Sequence, residues 1–367
     1  MYSIRKYEGT MTPRERVRKT FVCEKTDRVP IDYSANDEVH KRLAASLGIP
    51  NGDYELVLQA LGVDFRGVYP IYKGPALFED YKDTVTNPIY GYRMKYIKNE
   101  SGGYWDFCEF PLKGAEPEVI ANFPVPDPDD FDYDTALEMM KAYGDYAIYV
   151  GNAGLCDIIN ATGRVMGMED ALVNLALEDE ATLTYIDRRS NMELRMIDRL
   201  LSKSKGRIDF LWMGEDLGTQ HAPMISLGLY RTVLKPRHQK YIDLANSYGI
   251  PTMVHTCGSS SWVYEDFIQM GVKAVDALQP EAANMSPKYL TEHFGGRLAF
   301  HGCISTAGPL AYGTKEDIEK DVKDTLSHMM KSGGYFFSPT HMIQDNTPVE
   351  NIIAMYQIAH DVGRYGI

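Results

Sequence analysis

Short apolar runs alternate with longer helical patterns along this chain, and that alternation restricts the fold more than any other feature. The runs are Arg28–Asp32, Val63–Tyr69, Tyr146–Val150, Ile208–Met213, Thr252–His255, Ala274–Leu278, Leu298–His301 and Tyr335–Ser338. Strands separated by helices pair in parallel, because a crossover helix returns the chain to the same end of the sheet. Eight such units predict an α/β fold, a (β/α)8 TIM-type barrel filling residues 1–367 as a single domain. Length alone would allow two or three average domains, but barrels routinely reach 367 residues as one unit.

The intervening helices carry recognisable ends. Thr12 before Pro13 reads as a cap and first-turn proline for a helix over Met11–Val22. Thr314 and Asp317 form a capping signature for Thr314–Ser332. Further helical patterns cover Tyr54–Leu61, Tyr133–Tyr143, Arg164–Leu177, Glu180–Lys203, Leu229–Tyr248 and Val349–Tyr365. Residues 90–112 differ. They alternate with period two around Gly102-Gly103 and predict a β-hairpin excursion inserted in the barrel.

The formal charge is −13 and no basic stripe is present, so neither nucleic acid nor an anionic membrane is an expected partner. The five cysteines are few, odd in number and widely spaced, which fits reduced thiols rather than a secreted disulfide framework. The opening MYSIRKYEGTMTPRERV lacks an apolar leader core, and no run approaches the length of a membrane span. A cytoplasmic enzyme is the expectation.

In a parallel barrel the active site collects at the carboxyl ends of the strands. Reading those ends gives Asp32 and Asn36, Tyr69, Asn152 and Cys156, Glu215 and Asp216, His255 and Cys257, Gln279 and Glu281, His301 and Cys303, then His341 with Gln344 and Asp345. Two matching patterns stand out, His255-Thr-Cys257 and His301-Gly-Cys303. Residues i and i+2 of a strand share a face, so each pair would aim an imidazole and a thiol at one place. Those donors suit Zn²⁺, which takes three or four ligands and keeps a position open when catalytic. His255 and Cys257 are the leading ligands, with Cys303, His341 or Glu215 as candidates for the third. Glu215, Asp216 and His341 are candidate catalytic groups, and Asp32, Tyr69, Asn152, Gln279 and His301 candidate substrate-binding groups. A covalent cysteine nucleophile is the weaker reading of the same residues. The remaining histidines fall in helical or connecting segments and read as surface or capping groups.

Several segments resemble the uroporphyrinogen decarboxylase superfamily. They are Gly214-Glu-Asp-Leu-Gly-Thr219, His255-Thr-Cys-Gly258, Leu278-Gln-Pro280, Gly333-Gly-Tyr-Phe-Phe-Ser-Pro-Thr-His341 and Thr347-Pro-Val-Glu-Asn351. The resemblance runs from about Arg28 to the end, is strongest after Gly206, and implies a (β/α)8 barrel that is often a homodimer. True decarboxylases of this family use no metal and grip their substrate with an arginine-rich loop of the type R-P-x-W-x-M-R-Q-A-G-R. Here the region reads Arg28-Val-Pro-Ile-Asp-Tyr-Ser-Ala-Asn36, without the tryptophan or the later arginines. The zinc- and cobamide-dependent methyltransferase branch, resembling methylcobamide:coenzyme M methyltransferases, carries H-x-C and a later cysteine. His255 and Cys257 match the first two positions, and Ser338-Pro-Thr-His341 puts a histidine at the third. The resemblance therefore implies Zn²⁺, a corrinoid protein as partner and methyl donor, and a thiol-type small-molecule acceptor. A metal-free decarboxylase of a carboxylated ring, with Asp32, Tyr69 and His341 around the substrate, is the alternative. A barrel that binds corrinoid or metal as a carrier ranks third.

Overall fold

Seven short strands, each sealed on both faces, form the centre of the molecule. The computed structural model describes residues 2–7, 9–99 and 102–366. The strands are β1 (Phe65–Val68), β2 (Ala147–Gly151), β3 (Phe210–Gly214), β4 (Thr252–His255), β5 (Ala274–Leu278), β6 (Ala299–Ile304) and β7 (Tyr335–Pro339). They pair in that order, all parallel, and helices follow them on the outside. All-parallel strands are apolar throughout because both faces are covered. Those of β4 to β7 are buried along their whole length.

The sheet curls into a TIM-like half-barrel, and the expected first strand takes another form. Arg28–Asp32 adds no full ladder; Ile31 makes an isolated parallel bridge to Phe337. Around it, the Asp32 amide donates to the Phe337 carbonyl at 2.8 Å and the Phe337 amide to the Pro30 carbonyl at 2.7 Å, while the Asp64 amide donates to the Ile31 carbonyl at 2.8 Å. Pro30 has no N–H to give, which shortens any ladder here. The eighth place is thus a short bridging segment between β7 and the residues leading into β1.

Buried charges pin this segment. The Asp64 carboxylate receives Arg16 Nη1 at 2.6 Å, Arg28 Nη1 at 2.7 Å and the Ile31 amide at 2.7 Å. Arg16 also pairs with Asp27 at 2.7 Å. Inside the sheet, Phe21 from the helix Pro13–Phe21 packs against Phe210 and Phe336 at 4.9 and 5.0 Å between ring centroids. Phe65 joins both at 5.9 and 5.6 Å. These rings form an aromatic floor on which the ring of His301 rests, 5.9 Å from Phe65.

Several helices match their expected spans with shifted ends, and Tyr54–Leu61 is unchanged. The capping boxes at Thr12 and Thr314 are both formed. Arg164–Leu177 is instead two helices, Ile159–Met166 and Met168–Ala176, parted at Gly167. Leu229–Tyr248 begins at Leu227 and passes through a π-helical stretch, Tyr230–Leu234. Beyond the barrel, Arg93–Asn99 and Gly102–Cys108 pair antiparallel, with Asn99 opposite Gly102. Gly102 and Gly103 therefore lie in a strand rather than in the turn expected there; residues 100 and 101 lie outside the described residues. No described helix is long and apolar enough to cross a membrane.

Removing Asp64 would leave two buried guanidinium groups without their shared partner, a loss of about 3–5 kcal/mol for a buried pair. Asp64→Ala is therefore expected to lower unfolding free energy by about that amount, measured by urea denaturation at neutral pH; an unchanged midpoint would remove this network as the clamp on the bridging segment.

Candidate functional site

Strand register builds the site. Gly214 of β3, His255 of β4 and Asp276 of β5 are direct neighbours across the sheet. His301 lies on β6, next in line. Three adjacent strands thus place His255, Asp276 and His301 in one row. The Asp276 carboxylate lies between the imidazoles, Oδ2 at 2.7 Å from His255 Nδ1 and Oδ1 at 2.6 Å from His301 Nδ1. His301 Nε2 reaches Asp32 Oδ2 at 3.0 Å. Asp276 is almost fully buried; burial opposes its ionisation, but the two histidines hold its carboxyl well below the usual range. Burial also opposes protonation of His301, yet Asp276 and Asp32 push it up to about 9.

With Nδ1 engaged by Asp276, His255 turns Nε2 outward. Cys257 Sγ is 3.3 Å from that nitrogen and Asp216 Oδ1 3.7 Å. The donor atoms of Asp216, His255 and Cys257 all lie within 4.8 Å of one another. Asp216 is fixed by the Cys257 amide at 3.0 Å and by Asn160 Nδ2 at 2.8 Å. Burial raises the Cys257 thiol, against the pull of His255. The loops carrying Asp216 and Cys257 meet at two glycines. A Cβ on Gly258 would come within 2.4 Å of the Gly218 carbonyl, and one on Gly218 within 2.5 Å of the Ser259 amide.

The donor set fits zinc. One thiol, one imidazole and one carboxylate are ordinary Zn²⁺ ligands. A carboxylate on the far nitrogen of the imidazole is the usual outer support of a zinc-bound histidine. His341 stands at the rim, exposed, its ring 6.4 Å from that of His255. Its surroundings and the neighbouring His255 charge lower its affinity for a proton.

Other expected residues lie elsewhere. Cys303 does not join the cluster. Gly302 and Cys303 have φ of 105° and 73°, so the strand alternation that would align Cys303 with His301 is broken. Burial pushes the thiol up, and the carboxylates of Asp321 and Glu281 push it the same way. Glu215 is also withdrawn. Fully buried, it accepts from the amides of Ile158 and Ile159 at 2.8 and 3.0 Å and lies 3.2 Å from His238 Nε2. It caps the helix Ile159–Met166, and burial pushes it up to about 8. Gln279 pairs with Gln220 at 2.7 Å, and Asn36 caps the helix Asp37–Leu47. Tyr69 and Asn152 line a cavity of about 340 Å³ beside the ends of β1 and β2, whose walls do not include His255 or Cys257. His238 and His360 are not surface groups; both are buried, and burial lowers each to about 4.

Asp276 is the residue of this cluster that a survey of strand ends does not reach. Its signal was a lone acid inside Ala-Val-Asp-Ala-Leu, two residues before the strand's end.

His301 yields a pH prediction. Its pKa rises from 6.5 to about 9 in the fold. Its contribution is therefore complete below about pH 6.5 and lost as pH climbs through about 9. Metal-free wild-type protein should show a falling urea midpoint across that window, and His301→Gln a flatter one. Parallel curves would mean that His301 carries no extra proton.

The family model described as Uroporphyrinogen decarboxylase (URO-D) matches residues 213–362. A methyltransferase from Methanosarcina mazei shares the fold at TM-score 0.66 and 17% identity, with 96% of this chain and 99% of that chain covered. Native xylanase 10B from Thermotoga maritima aligns over 96% of this chain and 98% of its own at 10% identity, with TM-score 0.45. No curated protein matches the sequence. Asp216, His255, Cys257, Asp276, His301 and His341 all fall inside residues 213–362, the stretch that is similar to the uroporphyrinogen decarboxylase (URO-D) family.

Proposed function

We propose that this chain is a zinc-dependent methyltransferase that moves a methyl group from a corrinoid (methylcobamide) protein to a thiol-type acceptor. The observation that carries the reading is the convergence of Asp216, His255 and Cys257, with Asp276 behind the imidazole. Cys257 and His255 would hold the metal, with Asp216 beside them and His341 as a further imidazole at the rim. Bound there, Zn²⁺ supplies the positive charge that stabilises an acceptor thiol as its thiolate at neutral pH.

The chain's own groups prepare for this. Asp276 accepts from Nδ1 of His255 and so keeps Nε2 directed at Cys257. A metal ligand must be deprotonated, so occupation of the site releases protons from Nε2 and Sγ. His301, protonated at neutral pH, balances the negative charges of Asp276 and Asp32 and keeps the row neutral enough to stay buried. Asp216, partly exposed, faces the same opening and can orient an acceptor. On this reading the corrinoid protein docks over the carboxyl ends of the strands, and the chain works as a cytoplasmic homodimer.

A carboxy-lyase acting on uroporphyrinogen or a related carboxylated ring, with Asp32 and His341 near the substrate, is the competing reading. It draws on the URO-D match. Against it stands Arg28, the one arginine of residues 28–36, whose guanidinium is buried on Asp64. A polyanionic substrate needs cations that are free to reach it.

Elemental analysis of protein purified without added metal or a metal-binding tag is expected to give about one zinc per chain, lost in Cys257→Ser. Loaded wild-type protein should then demethylate methylcobalamin in the presence of a small thiol. Full zinc occupancy in Cys257→Ser would overturn the ligand assignment. Turnover of uroporphyrinogen by zinc-free protein would favour the lyase.

Asp276→Asn tests the support of His255. It should weaken zinc binding roughly 10–100-fold in a competition titration with a chelating dye, with the fold retained. Unchanged affinity would leave Asp276 without that role.

A further inference from the structure

The cavity beside β1 and β2 is separate from the Asp216–His255–Cys257 cluster and has a chemistry of its own. It encloses about 340 Å³ between the ends of those strands, the helix Ile159–Met166, the helix Glu180–Ser204 and the segment at Tyr90. That volume sits at the small end of ligand sites, roughly 300–1,000 Å³, and suits one ring rather than a tetrapyrrole. Aromatic side chains wall it on several sides, among them Tyr69, Tyr90, Phe131 and Tyr185.

The charges on its wall are unequal. Arg189 and Glu193 satisfy each other at 3.2 Å, and the same carboxylate also receives the Tyr241 hydroxyl at 2.6 Å and the Cys156 amide at 3.2 Å. Glu193 is thus already engaged by three donors. Arg164 is the opposite case. Its guanidinium makes no hydrogen bond among the described residues; its nearest carboxylate, Asp157, is 3.9 Å away, and the Phe107 ring lies at 5.2 Å. Burial and the neighbouring Glu215 also push Asp157 up to about 8, which weakens it further as a counter-charge. A half-buried, under-partnered guanidinium at the wall of an aromatic chamber recognises a planar anion, because its forked donors match a carboxylate and the rings match a flat face.

We propose that this cavity is a binding site for a small aromatic monocarboxylate, with Arg164 holding the carboxylate and the tyrosine walls the ring. The assignment does not rest on zinc or on methyl transfer.

Calorimetric titration with benzoate and with its uncharged analogue benzamide tests it directly. Wild-type protein should bind benzoate at least tenfold more tightly than benzamide. Arg164→Met should remove roughly 10–100-fold of benzoate affinity, as for a hydrogen-bonded charge pair, and leave benzamide unchanged. Benzoate can also ligate a metal, so the titration is repeated on chelator-treated protein and on Cys257→Ser. Affinity should be the same in both. Equal binding of the two probes, binding of neither, an intact margin in Arg164→Met, or loss of benzoate binding with the metal would each overturn the proposal. Circular dichroism checks the fold of each variant. If Arg164→Met does not fold, Arg164→Lys takes its place: the proposal expects a reduced margin, and an unchanged one overturns it. Wild-type protein that holds no zinc as purified and yet binds benzoate would sink the methyltransferase reading while leaving this site standing.

Discussion

A single carboxylate, Asp276, holds the centre of this molecule together. A lone ionised acid inside a parallel sheet costs several kcal/mol in lost hydration. Here that cost is offset by two imidazoles, each closer than 3 Å, which leave neither oxygen without a partner. Charge-assisted bonds of this kind are short and directional. At His255 they turn one ring edge toward Asp276 and the other toward Cys257 and Asp216. The position of Cys257 and Asp216 around the outward nitrogen would mean little without that orientation. The aromatic floor under His301 completes the arrangement by closing the row to water from below.

Much of the fold was legible in the sequence. Thr252–His255 and Ala274–Leu278 have the bounds their sequence predicts, because short apolar runs between turn residues leave little freedom. Arg28–Asp32 fits a strand on the same logic, yet Pro30 and the pull of Asp64 reduce it to a bridge. The helix Asp37–Leu47 has no place in the sequence pattern because Asn36, its cap, also fits a strand-end group. In each case local pattern was sound and the competing tertiary contact was invisible.

The site was legible in part, for a reason found in two residues. The repeated His-x-Cys pattern treats its two copies as equivalent. The first converges, since β4 ends at His255 and the loop brings Cys257 round to the same nitrogen. The second diverges, since Gly302 and Cys303 take left-handed backbone angles and turn the thiol away. Sequence carries the identities of donors but not the rotation of a strand at its exit. Glu215 and Asp216 teach the same lesson: neighbours in the chain, one caps a helix from within and the other faces the opening. Asp276 escapes a strand-end survey because it lies in the strand's interior.

The glycine contact between the loops after β3 and β4 has a mechanical meaning. Gly218 and Gly258 leave no gap into which either loop could retreat. The Ser259 amide donates to the Thr219 carbonyl at 2.8 Å and the Cys257 amide to Asp216 at 3.0 Å, so the two loops are tied together as well as in close contact, and the spacing between the Asp216 carboxylate and the Cys257 thiol is set when the chain folds. Whatever settles between them meets a seat already shaped, so recognition there is a matter of fit rather than of rearrangement. The same junction also couples the two loops in descent: neither glycine can be exchanged unless the opposite loop is rebuilt with it.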